Sequence, residues 1–210
     1  TILLDEDDGY AIVARAIGKS HRLLQASGTE GRVNWRNTSI PKRSHWIITL
    51  QHLRTMSQKY LEHAEKNLVM AWENKKLGTQ RPSDEQLVEA RTSMSELFDH
   101  LAKLPTYQKI MACHRGEDLD KIRIDETNIL TRPIGFTILA EAIGQLIHGG
   151  ETLDKIFEKL EKFDRAGGFE QAPKTSIWWG VTLDSKGRMI TANTSTAADL
   201  VKWTLFGQTH

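Results

Sequence analysis

The sequence predicts a mainly α-helical protein: a helical domain with a long antiparallel helix pair and a small C-terminal β-hairpin. Three observations carry that prediction. Apolar residues recur in steps of three and four across residues 44–75 and again across 84–104, the period of a helix that buries one stripe. Cap and breaker residues bracket both stretches. Near the C-terminus, two short β-prone runs flank a turn that carries Gly187, the pattern of a hairpin.

Taken in order, the acidic pair Asp7–Asp8 precedes Tyr10 to Ile17. Acids at a first turn and an apolar spacing predict a short helix with an N-cap. Residues 26–45 bear Gly, Ser, Asn and Pro41 and read as an irregular loop, with a short extended piece at Val33 to Trp35. The long helix follows, from Ser44 as N-cap to Lys75, with Ile47, Leu50, Leu53, Leu61 and Leu68 on its stripe. Gly78 and Pro82 stop it. Ser83-Asp84-Glu85 opens the second helix, which buries Leu87, Ala90, Met94, Leu97 and Leu101 and ends at Pro105. A short polar connection makes the two an antiparallel pair. A shorter helix covers 106–113, and a polar, mobile loop covers 115–127. Pro133 starts a helix that Gly149 and Gly150 end, and another runs over 152–163. The hairpin occupies 176–192, and a last helix covers 196–206. One helical region spans 1–210, with helices plus hairpin in 128–210.

Composition bounds the function. Hydrophobic residues make up 39% and charged residues 26%, an ordinary globular mix and not a disordered one. No apolar run reaches the length of a membrane span, and no secretory leader is present, so no membrane partner is expected. The single cysteine, Cys113, excludes an internal disulfide and a cysteine-based zinc cluster, and fits a cytoplasmic setting. The eight histidines are scattered. His45 and His52 could share a helix face, but no carboxylate lies near them in sequence, so no metal site is expected. The run Asp5 to Asp8 lacks the spacing of a calcium loop and reads as a solvated helix start. No P-loop, GxGxxG, HExxH or GxSxG signature occurs, and no catalytic residue is assigned.

The net charge of +1 makes no global demand for nucleic acid. Its distribution does more. From Gly31 to Leu61 there is no Asp or Glu, while Arg32, Arg36, Lys42, Arg43, Arg54 and Lys59 all fall there. The densest part runs from Gly31 to Trp46 and mixes Arg32, Arg36, Lys42 and Arg43 with Asn34, Asn37 and Ser44, interleaved by Trp35 and Trp46. Cations, amides and hydroxyls suit phosphate, a helix start at Ser44 adds backbone donors, and Trp35 offers a stacking face. The plainer alternative is a polar loop whose tryptophans anchor it to the core. Lys186 and Arg188, at the hairpin turn, are further candidates for an anion contact. The candidate phosphate or nucleic-acid set is therefore Arg32, Asn34, Trp35, Arg36, Asn37, Lys42, Arg43, Ser44, Arg54, Lys186 and Arg188.

Four stretches also carry a family resemblance. Val33-Asn-Trp35 followed by Thr38-Ser-Ile-Pro-Lys-Arg-Ser44 and Thr49-Leu50, leading into a long helix, resembles the DGQHR-domain proteins. Asn128-Ile-Leu-Thr-Arg-Pro-Ile-Gly-Phe-Thr-Ile-Leu-Ala-Glu-Ala-Ile143 is similar to a family helix, and Trp179 to Asn193 to its closing segment. The acidic start followed by an Ala-rich helix is similar too. These stretches occur in order along most of the chain. The motif that gives the family its name is missing; Gly18-Lys-Ser-His-Arg22 is a superficial echo. The resemblance thus implies the C-terminal part of a longer protein, with the motif before Thr1. Its DndB branch implies a DNA-binding regulator of the DNA phosphorothioate (sulfur) modification genes, part of phage defence.

Three expectations follow. The first is a DNA-binding regulator of transcription whose basic loop contacts the backbone. The second, implied by the resemblance, is an ATPase or nuclease-associated component with its active site in the preceding region; ATP then belongs to the full-length protein, and no cofactor to this segment. The third is a helical scaffold that docks other proteins of the modification system through an exposed apolar stripe on 44–104. An oligomer is compatible with each.

Overall fold

The computed structural model describes residues 8–25, 31–41, 44–65, 68, 81–113, 118–119, 121–122, 128–171, 176–184, 190 and 193–207. Seven α-helices have defined ends among them. We number them α1 (Gly9–Ser20), α2 (Leu50–Ala64), α3 (Asp84–Leu101), α4 (Pro105–Ala112), α5 (Pro133–His148), α6 (Leu153–Arg165) and α7 (Thr194–Phe206). Two 3-10 turns, Arg22–Leu24 and Ile129–Thr131, and two strands, β1 (Val33–Asn34) and β2 (Ile48–Thr49), complete the set. The chain is mainly helical, as its periodicity predicts.

Most helix starts follow local chemistry. Asp8 caps α1 by accepting from the Ala11 amide. Ser83 and Gln86 form a reciprocal capping box at α3. Thr152 caps α6, and Pro105 and Pro133 sit in the first turns of α4 and α5, where a missing N–H is harmless. The long helix differs from expectation. It starts at Leu50, capped by Thr49, and not at Ser44. Ile48 and Thr49 are held extended by parallel pairing with Val33 and Asn34, so the backbone turns helical only after them.

Residues 66–67 and 69–80 of the expected antiparallel pair lie outside the described residues, and the pair is not confirmed. The main partner of α2 is α5, and the two run parallel: Lys59 meets Glu141, and further along Tyr60 and His63 meet Gly144. The reason lies in α5 itself. Twelve of its residues, from Ile134 to Leu146, are buried, so it is a helix with apolar character all round and belongs at the centre. A Cβ on Gly144 would lie 2.8 Å from the Tyr60 carbonyl oxygen, which shows how closely the two backbones approach. By contrast α2 meets α3 near Ser93, which donates to Glu65. Around this pair, α7 packs on α5, α1 on α2, α3 on α1, and α6 against α3, α4 and α5.

The core is continuous through these helices. Phe136 of α5 stacks with Phe98 of α3 and Tyr107 of α4, and Phe169 lies between Phe163 and Trp178. A buried polar knot ties α4 to α6: Asp164 accepts from the Thr106 amide and hydroxyl, and Asn128 donates to the same hydroxyl. Such networks hold when every member is satisfied.

Of the predicted hairpin, the first run is corrected, and 185–189 and 191–192 lie outside the described residues. Its first run is a set of turns, in which the Trp178 carbonyl accepts from Val181, Thr182 and Leu183. Trp178 is fully buried and donates its indole N–H to the Gly168 carbonyl. Burying that ring and satisfying its N–H decides the local path over strand propensity. Of the second run, Ile190 is described, and its amide donates to Thr182. Within the predicted polar loop at 115–127, residues 118–119 and 121–122 are helical. Among the described residues, no helix is long and apolar enough to cross a membrane.

Candidate functional site

The basic loop divides into a buried frame and an open face. Arg32 belongs to the frame, with an exposure of 3%. Its guanidinium donates to four backbone carbonyls: Leu23 and Gln25 through Nη1, Met111 and Cys113 through Nη2. These carbonyls end the Arg22–Leu24 turn and α4, where orphan acceptors gather and a cation is favoured. Burial holds its pKa below the ordinary value. Arg32 therefore fastens the loop's root to two helical ends, and its fork faces away from solvent.

Asn34 is buried too, at 1%. Its Oδ1 accepts from the Arg36 and Asn37 amides and its Nδ2 donates to the Ser39 carbonyl. This is a side chain standing in for backbone in a turn. It lifts Arg36 and Asn37 outward, and both are exposed. Ser44, expected as a helix cap, is buried and donates to the Pro41 carbonyl, closing the loop's far end. Arg54 lies on α2 beyond the loop. It pairs with Asp8 at 2.5 Å, donates to Gln58 and lies over Tyr10. Its charge is matched by the carboxylate that caps α1.

What remains is a groove of about 590 Å³, walled by Trp35, Arg36, Asn37, His45 and Trp46 and floored by Asn34. Trp35 is half-buried. The outer edge of its ring packs on Gly18 of α1, and a Cβ on Gly18 would come within 2.8 Å of it. So one part of the ring anchors the loop, as the plainer reading holds, while the residue also walls the groove. His45 and Trp46 stand together with ring centroids 4.9 Å apart. His45 precedes α2, so it shares no helix face with His52. The structure thus brings Asn34, Trp35, Arg36 and Asn37 to one groove, and sequence reasoning missed His45 as a wall residue. Its signal was its place beside Trp46. Lys42, Arg43, Lys186 and Arg188 lie outside the described residues, as do Asp5, Glu6 and Asp7.

Cys113 is half-buried, and its carbonyl serves Arg32. Among the described residues, no group of three or more His, Cys, Asp or Glu could hold a metal ion. Among the described residues, the groove's lining includes the Arg36 cation, the Asn34 and Asn37 amides, an imidazole and two indoles. That set can bind an anion beside a flat or apolar group. Comparison with known proteins returned no matching family model, no matching curated protein and no matching solved structure.

Proposed function

We propose that the chain is a cytoplasmic, DNA-binding regulatory protein of a DNA phosphorothioate modification system, and that it meets DNA through the open face of the 31–46 loop. The observation that carries this reading is the groove itself. Arg36 and Asn37 project from a turn built by Asn34, and Trp35, His45 and Trp46 wall the space beside them. A cation and an amide suit phosphate oxygens, and indole faces suit a sugar or an unstacked base. Lys42 and Arg43 follow in the same acid-free stretch and add to its positive charge. The modification system itself is a proposal that rests on the family resemblance alone. A docking scaffold is less well supported, because among the described residues of 44–104 the exposed large apolar side chain is Val88.

The test is a salt titration of binding to a labelled DNA duplex, followed by anisotropy. An Arg36/Lys42/Arg43→Glu variant leaves the Arg32 frame untouched. Binding should fall steeply with salt, and if each of the three cations meets a phosphate, the variant should lose about 3 units of the log–log slope. Equal binding by the variant would move the DNA site elsewhere. Absence of salt-dependent binding would end the DNA reading for this segment.

A further inference from the structure

The loop groove has the size of a nucleotide and not of a duplex. Its volume of about 590 Å³ falls in the range of about 300–1,000 Å³ that encloses a small organic molecule. Trp35, His45 and Trp46 line it. In a closed duplex each base face is covered by its neighbours in the stack, so a protein meets the backbone and the base edges. Aromatic walls in a concave groove gain little from edges. Their natural partner is the face of an unpaired base.

The walls are set before a ligand arrives. The Ile47 amide donates to the Arg32 carbonyl at 2.8 Å, which ties the chain just after Trp46 to the buried root of the loop. His45 and Trp46 pack ring against ring at 4.9 Å, and the Trp35 ring edge is seated on Gly18. Rings held in this way lose little freedom on binding. The polar groups divide in a matching way. Asn34 has committed its amide to the turn, while Arg36 and Asn37 are exposed on it. The Arg36 guanidinium suits a phosphate, and the Asn37 amide can donate and accept at a base edge. A flat wall, a cation and an amide match the base face, the phosphate and the base edge of one nucleotide.

We propose, resting on the reading of this loop as the DNA-contacting face, that the groove holds one unpaired nucleotide, its base against the Trp46 indole and its phosphate on Arg36. Trp46 is the platform because the Trp35 ring edge is engaged by α1. The loop then binds a single strand, or a duplex opened locally, more tightly than a closed duplex of the same sequence. Every base has a flat face, so the preference is for the unpaired state and not for a sequence.

The experiment measures, by anisotropy at one salt concentration, the affinity of the intact chain for a labelled DNA strand of about 16 nucleotides that cannot pair with itself, alone and annealed to its complement. The single strand should bind at least about tenfold more tightly. Trp46→Leu removes the flat face and should shrink that preference by about tenfold, and Trp46→Phe, which keeps a face, should restore most of it. Equal affinity for the two forms, or tighter binding of the duplex, overturns the inference and leaves the DNA reading of the loop intact. A preference that Trp46→Leu does not change overturns it too. Binding of neither form ends this inference and the DNA reading together. If the Trp46 variants fail to fold, the indole N–H NMR signals of the unsubstituted chain decide: the strand must shift those of Trp35 and Trp46, and shifts that avoid both overturn the inference. Thymidine 5′-monophosphate separates the sources. Weaker competition than by the strand assigns the nucleotide to a DNA strand, and competition as strong as the strand's assigns a free nucleotide and overturns the strand.

Discussion

Arg32 and Arg36 stand four residues apart in one acid-free stretch, and their fates are opposite. Arg32 is buried on four carbonyls; Arg36 is exposed on the rim of a groove. The same residue type serves the fold in one place and is available to a ligand in the other. Charge alone does not tell them apart. What does is the backbone around them: the Arg32 side chain lies beside two helical ends with orphan carbonyls, and Arg36 sits on a turn that Asn34 has already satisfied. Within this basic cluster, Arg32 is drawn to helix ends, and Arg36 is left facing solvent.

The sharpest way to break this contrast is to remove each arginine in turn. Arg32→Met leaves four buried carbonyls without their donor. The expected loss is about 3–5 kcal/mol in urea unfolding. Arg32→Lys should not restore it, because an ammonium lacks the planar fork. Arg36→Ala should change stability by less than about 0.5 kcal/mol and should weaken DNA binding. A folded, stable Arg32→Met chain would show that the frame does not depend on its arginine.

Gly18→Ala sharpens the same boundary from the other side. The new Cβ would meet the Trp35 ring at 2.8 Å, so the ring or α1 must shift. Overpacking of this kind costs about 1–3 kcal/mol. If the groove is where DNA binds, affinity falls with the displaced indole. Lost stability with unchanged DNA binding would reduce Trp35 to an anchor. Asn34→Ala is milder, at about 1–2 kcal/mol, since it removes the acceptor for two amides and leaves the frame in place. Its DNA affinity should fall more than its stability, because Arg36 and Asn37 lose their turn.

Much of the helical skeleton is legible in the sequence, because caps and apolar steps are local. Asp8, Ser83, Pro133 and Thr152 all mark helix starts that the structure contains, while Pro105, expected to end a helix, begins α4. The partner choice of α2 was not legible. A short connection favours α3, but α5 has apolar residues on every side, and only a central position satisfies it. The run at 176–183 reads as a strand because Trp178 and Val181 carry β propensity, whereas the fold places Trp178 in turns with its indole buried. At the site, the composition of the loop pointed to the groove. It could not separate Arg32 from Arg36, since that depends in part on the Met111 and Cys113 carbonyls, far away in sequence.

The smallest effect concerns acid, and it tests whether the frame is held by groups that titrate. The four carbonyls under Arg32 do not titrate, but their neighbour His21 does. Its Nδ1 accepts from the Leu23 amide, and its Nε2 lies 3.1 Å from Asp99, so the neutral ring donates there. Burial lowers the His21 pKa below 6.5 and outweighs the opposing pull of Asp99. His52, His63 and His100 are lowered as well, burial being the first cause for each. A lowered folded-state pKa means that the unfolded chain takes up protons first. Stability is therefore unaffected well above pH 6.5 and is lost as pH falls through that value, by at most about 1.4 kcal/mol per pH unit for each proton. Protonated His21 would turn Nδ1 into a donor facing the Leu23 N–H, loosening the turn whose carbonyls Arg32 grips. His21→Asn keeps an acceptor at that place and cannot take up the proton. Urea unfolding between pH 7.5 and about 5 should then show a shallower loss for the variant. Equal slopes would assign the acid sensitivity to the other three histidines and leave the Arg32 frame independent of pH.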